Sequence, residues 1–86
     1  MTIRVNVLFF SVLRDLAGTD QILFQLASAD GVPALSDLLT ALYAAHPALE
    51  SWDSRLLLAV NAEFATRGTP LKDGDEVALM PPVQGG

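Results

Sequence analysis

The chain has 86 residues, 51% of them hydrophobic and 17% charged, which is enough apolar material for one core and too apolar a composition for a disordered segment. Ten acidic residues against five basic ones leave a net charge of −5, which argues against a nucleic-acid binder. No cysteine is present, so disulfides, thiolate metal sites and a cysteine nucleophile are excluded.

The N-terminal stretch Thr2 to Phe10 interleaves polar and apolar residues and does not read as a signal peptide. No apolar run approaches the roughly 18–20 residues that span a bilayer. A cytoplasmic protein without a membrane partner is expected. Ile3, Val5, Val7 and Phe9 alternate with Arg4, Asn6, Leu8 and Phe10, a period of two that marks a strand. Ser11 is placed to cap a short helix, Val12 to Ala17, which Gly18 ends. Ile22, Phe24 and Leu26 alternate with Gln21, Leu23 and Gln25 in a second strand, paired with the first as a hairpin with a long, partly helical turn.

Ser28 to Gly31 reads as a loop, and Pro33 suits the first turn of a helix. Leu35, Leu38, Leu39, Leu42 and Tyr43 follow the helical spacing with one apolar stripe, and His46-Pro47 ends the helix. His46, the single histidine, is expected as a surface residue at that end. Ala48 to Trp52 adds one more turn, and Arg55 to Val60 reads as a short buried strand. Asn61-Ala62-Glu63 turns the chain into a brief segment around Phe64. Leu71 to Asp75 forms a tight turn with Gly74 at a positive φ, and Glu76 to Met80 is the last strand before Pro81-Pro82. This order predicts one α+β domain over residues 1–86, a mixed sheet packed on one main helix, with 81–86 as a flexible tail.

Two layers bury only one face of the sheet. If Val5, Val7 and Phe9 face the helix, parity sends Leu8 and Phe10 to the other face, with Ala78 and Met80 beside the tail. An apolar face there would be a docking surface. Side-chain chemistry is not indicated elsewhere. No nucleophile elbow surrounds a serine, and no glycine-rich loop joins a strand to a helix. Asp73, Asp75 and Glu76 lack the spacing of a calcium loop and read as a solvated turn, so no metal site is expected. Gly85-Gly86 remains: an extended pair without side chains can thread a narrow channel and present its terminal carboxylate. Ordering it costs roughly 1–2 kcal/mol per residue, and burying a Phe or Met on a partner, at about 1.5–3 kcal/mol each, can offset that.

Val7-Leu8-Phe9-Phe10 with Arg14 and Gly18, Leu57 to Asn61, Pro70 to Val77, and Pro81-Pro82-Val83-Gln84-Gly85-Gly86 together resemble the small subunit of molybdopterin synthase, the MoaD family. The resemblance covers essentially the whole chain and implies a β-grasp, ubiquitin-like fold. It implies that Gly86 is the reacting residue and Gly85 its slender neighbour. An activating enzyme, a ubiquitin-activating-like adenylyltransferase, would adenylate the Gly86 carboxylate at the expense of ATP, and a sulfur donor would convert it to a thiocarboxylate. The large subunit would then use that sulfur on cyclic pyranopterin monophosphate, with two large subunits in a heterotetramer. Phe10, Phe64 and Met80 match docking positions for the large subunit and the activating enzyme, and Arg14 matches a polar contact. The chain itself would bind no cofactor and supply no catalytic side chain. Alternative readings are a ubiquitin-like carrier for thiamin thiazole synthesis, a protein modifier acting through Gly86, and a pure binding module.

Overall fold

A computed structural model describes residues 2–28 and 31–82. In chain order these form β1 (Thr2–Phe9), α1 (Val12–Ala17), β2 (Gln21–Ala27), α2 (Leu35–Ala45), a 3-10 helix (Pro47–Arg55), β3 (Leu57–Val60), β4 (Glu63–Phe64) and β5 (Glu76–Met80). The strands make one sheet in the order β2-β1-β5-β3-β4. β1 and β5 run parallel in its centre, and the other pairs are antiparallel. A mixed sheet packed on one main helix, as expected, is the result.

The alternation in β1 becomes burial. Val5, Val7 and Phe9 are buried, joined by Val77 and Leu79 of β5 and Leu58 and Val60 of β3. The stripe Leu35, Leu38, Leu39 and Leu42 of α2 closes over them, with Leu13 of α1 and Leu49 of the 3-10 helix at one side. Burying each of these side chains stabilises by about 1.5–3 kcal/mol, so this stripe sets the orientation of α2. Tyr43, at the margin of the stripe, is only half-buried.

Several local expectations need correction. Ser11 makes no side-chain cap; its φ is 58° and its ψ is −130°. It occupies a turn in which the Leu13 N–H donates to the Phe10 carbonyl at 3.1 Å, a geometry closed to the extended backbone of an N-cap. Pro33 is not in the first turn of α2. It is buried two residues upstream, where its carbonyl accepts the Leu71 N–H at 2.9 Å. The open N–H groups of α2 are met from outside the helix: Leu35 donates to the Thr69 carbonyl and Ser36 to the Arg67 carbonyl, each at 2.8 Å. Asp37 reaches back to accept the Ala34 N–H at 2.8 Å.

Arg55 belongs to the 3-10 helix rather than to β3, its guanidinium 4.2 Å above the Trp52 ring. His46 does end α2, but it is half-buried, its ring edge-on to Phe9 at 6.3 Å between centroids. Asp75 is not solvated. It is 5% exposed, and its carboxylate accepts the Lys72 N–H at 2.8 Å and the Asn61 side-chain amide at 2.9 Å. The Asp73 carboxylate accepts the Arg4 N–H at 2.8 Å, so the acidic turn ties β5 to β1 and to the β3–β4 turn.

Candidate docking face

The sheet face opposite α2 carries the site. Register aligns one row across it: Leu8 pairs with Ala78, Ala78 with Ala59, and Ala59 with Phe64. A second row pairs Met80 with Leu57, and Phe10, whose N–H donates to the Leu79 carbonyl at 3.2 Å, stands beside it. Alanines in the middle of the first row, with Leu8 and Phe64 at its sides, leave the centre low and the margins high. The outcome is a depression of about 280 Å³ lined by Leu8, Phe10, Ala59, Ala62, Phe64, Glu76, Ala78 and Met80. Phe64 is 81% exposed and Phe10 45%. Two solvated phenylalanines border one predominantly apolar surface, the kind of patch that forms interaction sites on proteins.

Local backbone geometry aims both rings. The turn at Ser11 follows Phe10 directly, holding it at the end of β1. The β3–β4 hairpin turns on Asn61 and Ala62, with φ of 51° and 69°, the two positive values of a tight hairpin whose twist matches the strands. The Asn61 side chain secures it, accepting the Glu76 N–H at 3.0 Å while donating to Asp75. Burial works against the charged form of Asp75, yet the hydrogen bonds from Asn61 and Lys72, with the Lys72 charge, prevail and hold its carboxyl below the usual carboxylate range. This network orients the two-residue strand that carries Phe64.

Phe10, Phe64 and Met80 come together around this depression, and the outward parity of Leu8 and Ala78 is observed. Arg14 is exposed on α1 and lines a different depression, with Asp15, Gly18, Thr19 and Asp20. Ala59, Leu57 and Ala62 were not anticipated: Leu57 to Val60 is apolar throughout, so alternation is silent there and only pairing with β5 reveals the outer positions. Pro81 and Pro82 follow Met80 and are half-buried beside Ser11, Val12, Trp52 and Arg55. Gly85 and Gly86 lie outside the described residues. Among the described residues there is no group of three or more His, Cys, Asp or Glu able to hold a metal ion. None of their helices is long and apolar enough to cross a membrane.

On the other side of the molecule, the Asp53 carboxylate receives the Tyr43 hydroxyl and the Arg67 guanidinium, the latter at 2.9 Å. The Tyr43 hydrogen bond, opposed by partial burial and helped by Arg67, lowers the Asp53 pKa. Burial, then the Asp53 hydrogen bond and charge, raise that of Tyr43. This group joins α2, the 3-10 helix and the loop that meets the start of α2, away from the apolar depression.

Fold and sheet face together define a β-grasp, ubiquitin-like domain. Residues 7–86 match the model of the ThiS family, and the chain belongs to that family. It is 41% identical over 85 residues to the molybdopterin synthase sulfur carrier subunit of Chlamydomonas reinhardtii, covering 96% of this chain and 99% of the relative. The crystal structure of the small archaeal modifier protein 1 from Haloferax volcanii superposes with a TM-score of 0.79 at 35% identity, covering 96% of this chain and 99% of that one. A chain of the complex of subunits 1 and 2 of the molybdopterin-converting factor from Helicobacter pylori matches with a TM-score of 0.64 at 30% identity, covering both chains in full.

Proposed function

We infer that this chain is the sulfur-carrier subunit of a molybdopterin synthase and works in the cytoplasm. The observation that carries the reading is full-length similarity to a named sulfur carrier subunit combined with an apolar depression bordered by Phe10 and Met80, the residue that precedes Pro81-Pro82. The match to a chain of the complex of subunits 1 and 2 from Helicobacter pylori supports a large-subunit partner, and the depression is the surface this reading assigns to it.

A carboxylate is a poor electrophile. Attack of the Gly86 carboxylate on ATP, within an activating enzyme, gives an acyl adenylate and pyrophosphate and so creates a leaving group. A sulfur donor then displaces AMP to leave a thiocarboxylate, whose sulfur is a capable nucleophile. Gly85 lets the end pass into the partner's channel, and the large subunit directs the sulfur to cyclic pyranopterin monophosphate. Phe10, Phe64 and Met80 supply binding energy that offsets ordering of the tail, and Arg14, on α1 outside the depression, adds a polar contact to a partner that reaches that helix. ATP is consumed by the activating enzyme, and catalytic side chains belong to the partners.

A second reading, protein modification through Gly86, is favoured by the similarity to the small archaeal modifier protein 1. Both readings use an activated Gly86, so the fate of the activated end separates them. With activating enzyme, ATP and a sulfur donor, the chain should gain the mass difference between sulfur and oxygen. With large subunit added, that sulfur should pass to the pterin substrate. Attachment of the intact chain to lysines of other proteins, without sulfur transfer, would overturn the carrier reading.

A further inference from the structure

β4, at one edge of the sheet, is two residues long, whereas β2, at the other edge, is seven. Long edges are normally blunted by charge, proline or a bulge, because their open backbone groups recruit further strands. β2 reads Gln-Ile-Leu-Phe-Gln-Leu-Ala, with no charge and no proline, in a chain of net charge −5. Pairing with β1 shows which of its backbone groups are open. The Phe9 N–H donates to the Asp20 carbonyl at 2.8 Å, so antiparallel alternation makes Val7–Ile22, Val5–Phe24 and Ile3–Leu26 the hydrogen-bonded pairs. Leu23, Gln25 and Ala27 then turn their N–H and C=O groups to the open side. Leu23 is 66% exposed on one face, while Ile22 and Phe24 are only half-buried on the other.

We propose that β2 is a homotypic docking edge, to which a second copy of this chain adds its own β2 in antiparallel orientation about a two-fold axis at Phe24. This register overlaps the whole strand. It sets Leu23 against Gln25 of the second copy as a hydrogen-bonded pair, Ile22 against Leu26 of the second copy, and Phe24 against its own counterpart. Neutrality of the strand selects the occupant. A two-fold contact sets each charge near its own kind, which an acidic chain tolerates only where the edge carries none. A basic partner strand would find no acidic residue on this edge. The contact is one strand wide and falls below the ~1,200 Å² of a stable interface, so the dimer exchanges and depends on concentration. It leaves the Phe10–Phe64 depression open, since that lies over β1, β5, β3 and β4 and none of its lining residues is on β2, and it stands independently of the sulfur-carrier reading.

Sedimentation equilibrium of the full chain from about 10 μM to 1 mM, where weak contacts register, should show the average mass rising toward twice that of the monomer. The Leu23 and Gln25 amides should gain protection from hydrogen exchange over the same range. The double variant L23K/Q25K sets lysines opposite lysines at exposed positions and should weaken association at least tenfold, with the unfolding midpoint kept. A monomer throughout, or a dimer lost in F64D but kept in L23K/Q25K, would overturn the proposal.

Discussion

Single residues set the geometry of the docking face, and two of them make sharp predictions. Asp75 meets two donors, the Lys72 N–H and the Asn61 amide, while Asn61 is fixed by accepting the Glu76 N–H. Asp75→Asn therefore sets a donor against a donor in a buried place. Chemical denaturation should show a loss of about 1–3 kcal/mol. The same carboxyl contributes to acid sensitivity. Its native pKa is lowered against about 3.9 in the unfolded chain, so its contribution is complete above that value and is lost as pH falls through the native pKa. Asp53, also lowered, acts in the same direction, so D75N should flatten the acid limb of stability without abolishing it. At Ala62 the φ of 69° costs an L-residue about 1–2 kcal/mol, against about 0.4–1 kcal/mol for glycine's extra unfolded freedom. Ala62→Gly should raise stability by roughly 0.5 kcal/mol, read as a higher denaturation midpoint.

At the scale of elements, β4 exists to present one side chain. Its two residues pair with β3, and Phe64 makes no contribution to the core. Phe64→Ala should leave stability within about 0.5 kcal/mol. Removing an aromatic anchor from an interface costs about 1.4 kcal/mol or more in binding, so affinity for the large subunit, measured by calorimetry, should fall tenfold or further. α2 illustrates the limits of local reading. Its stripe and its end at His46-Pro47 were legible because spacing and proline geometry are local. Its start was not, because carbonyls of Arg67 and Thr69, some thirty residues away, complete it. Nor was the turn at Ser11, since serine is a common cap and nothing nearby signals its positive φ.

For the whole molecule, one helix layer covers one sheet face, and the two faces divide the work. The covered face supplies stability, and the open face is left to the partner that the proposed function assigns to it. Among the described residues the core runs from Ile3 to Leu79, so deleting Gly86, or adding a residue after it, should leave the thermal midpoint unchanged while abolishing the sulfur-for-oxygen mass gain. Normal synthase activity from the extended chain would contradict the carrier reading. The same division accounts for what sequence misread around Asp75: a cluster of acids in a turn is usually solvated, but here the turn is folded between β1, β5 and the β3–β4 hairpin.

The sequence by itself determined the order of elements, the helix-facing residues of β1 and β5, and the outward parity of Leu8, Phe10, Ala78 and Met80. Each follows from a period of two or 3.6 along the chain. Only the tertiary structure decided that Ala59 and Ala78 form a floor between Leu8 and Phe64, that Asp75 is buried, and that β2 ends the sheet as a neutral open edge. These depend on which strands become neighbours and in what register, and pairing between distant segments leaves no local period to read.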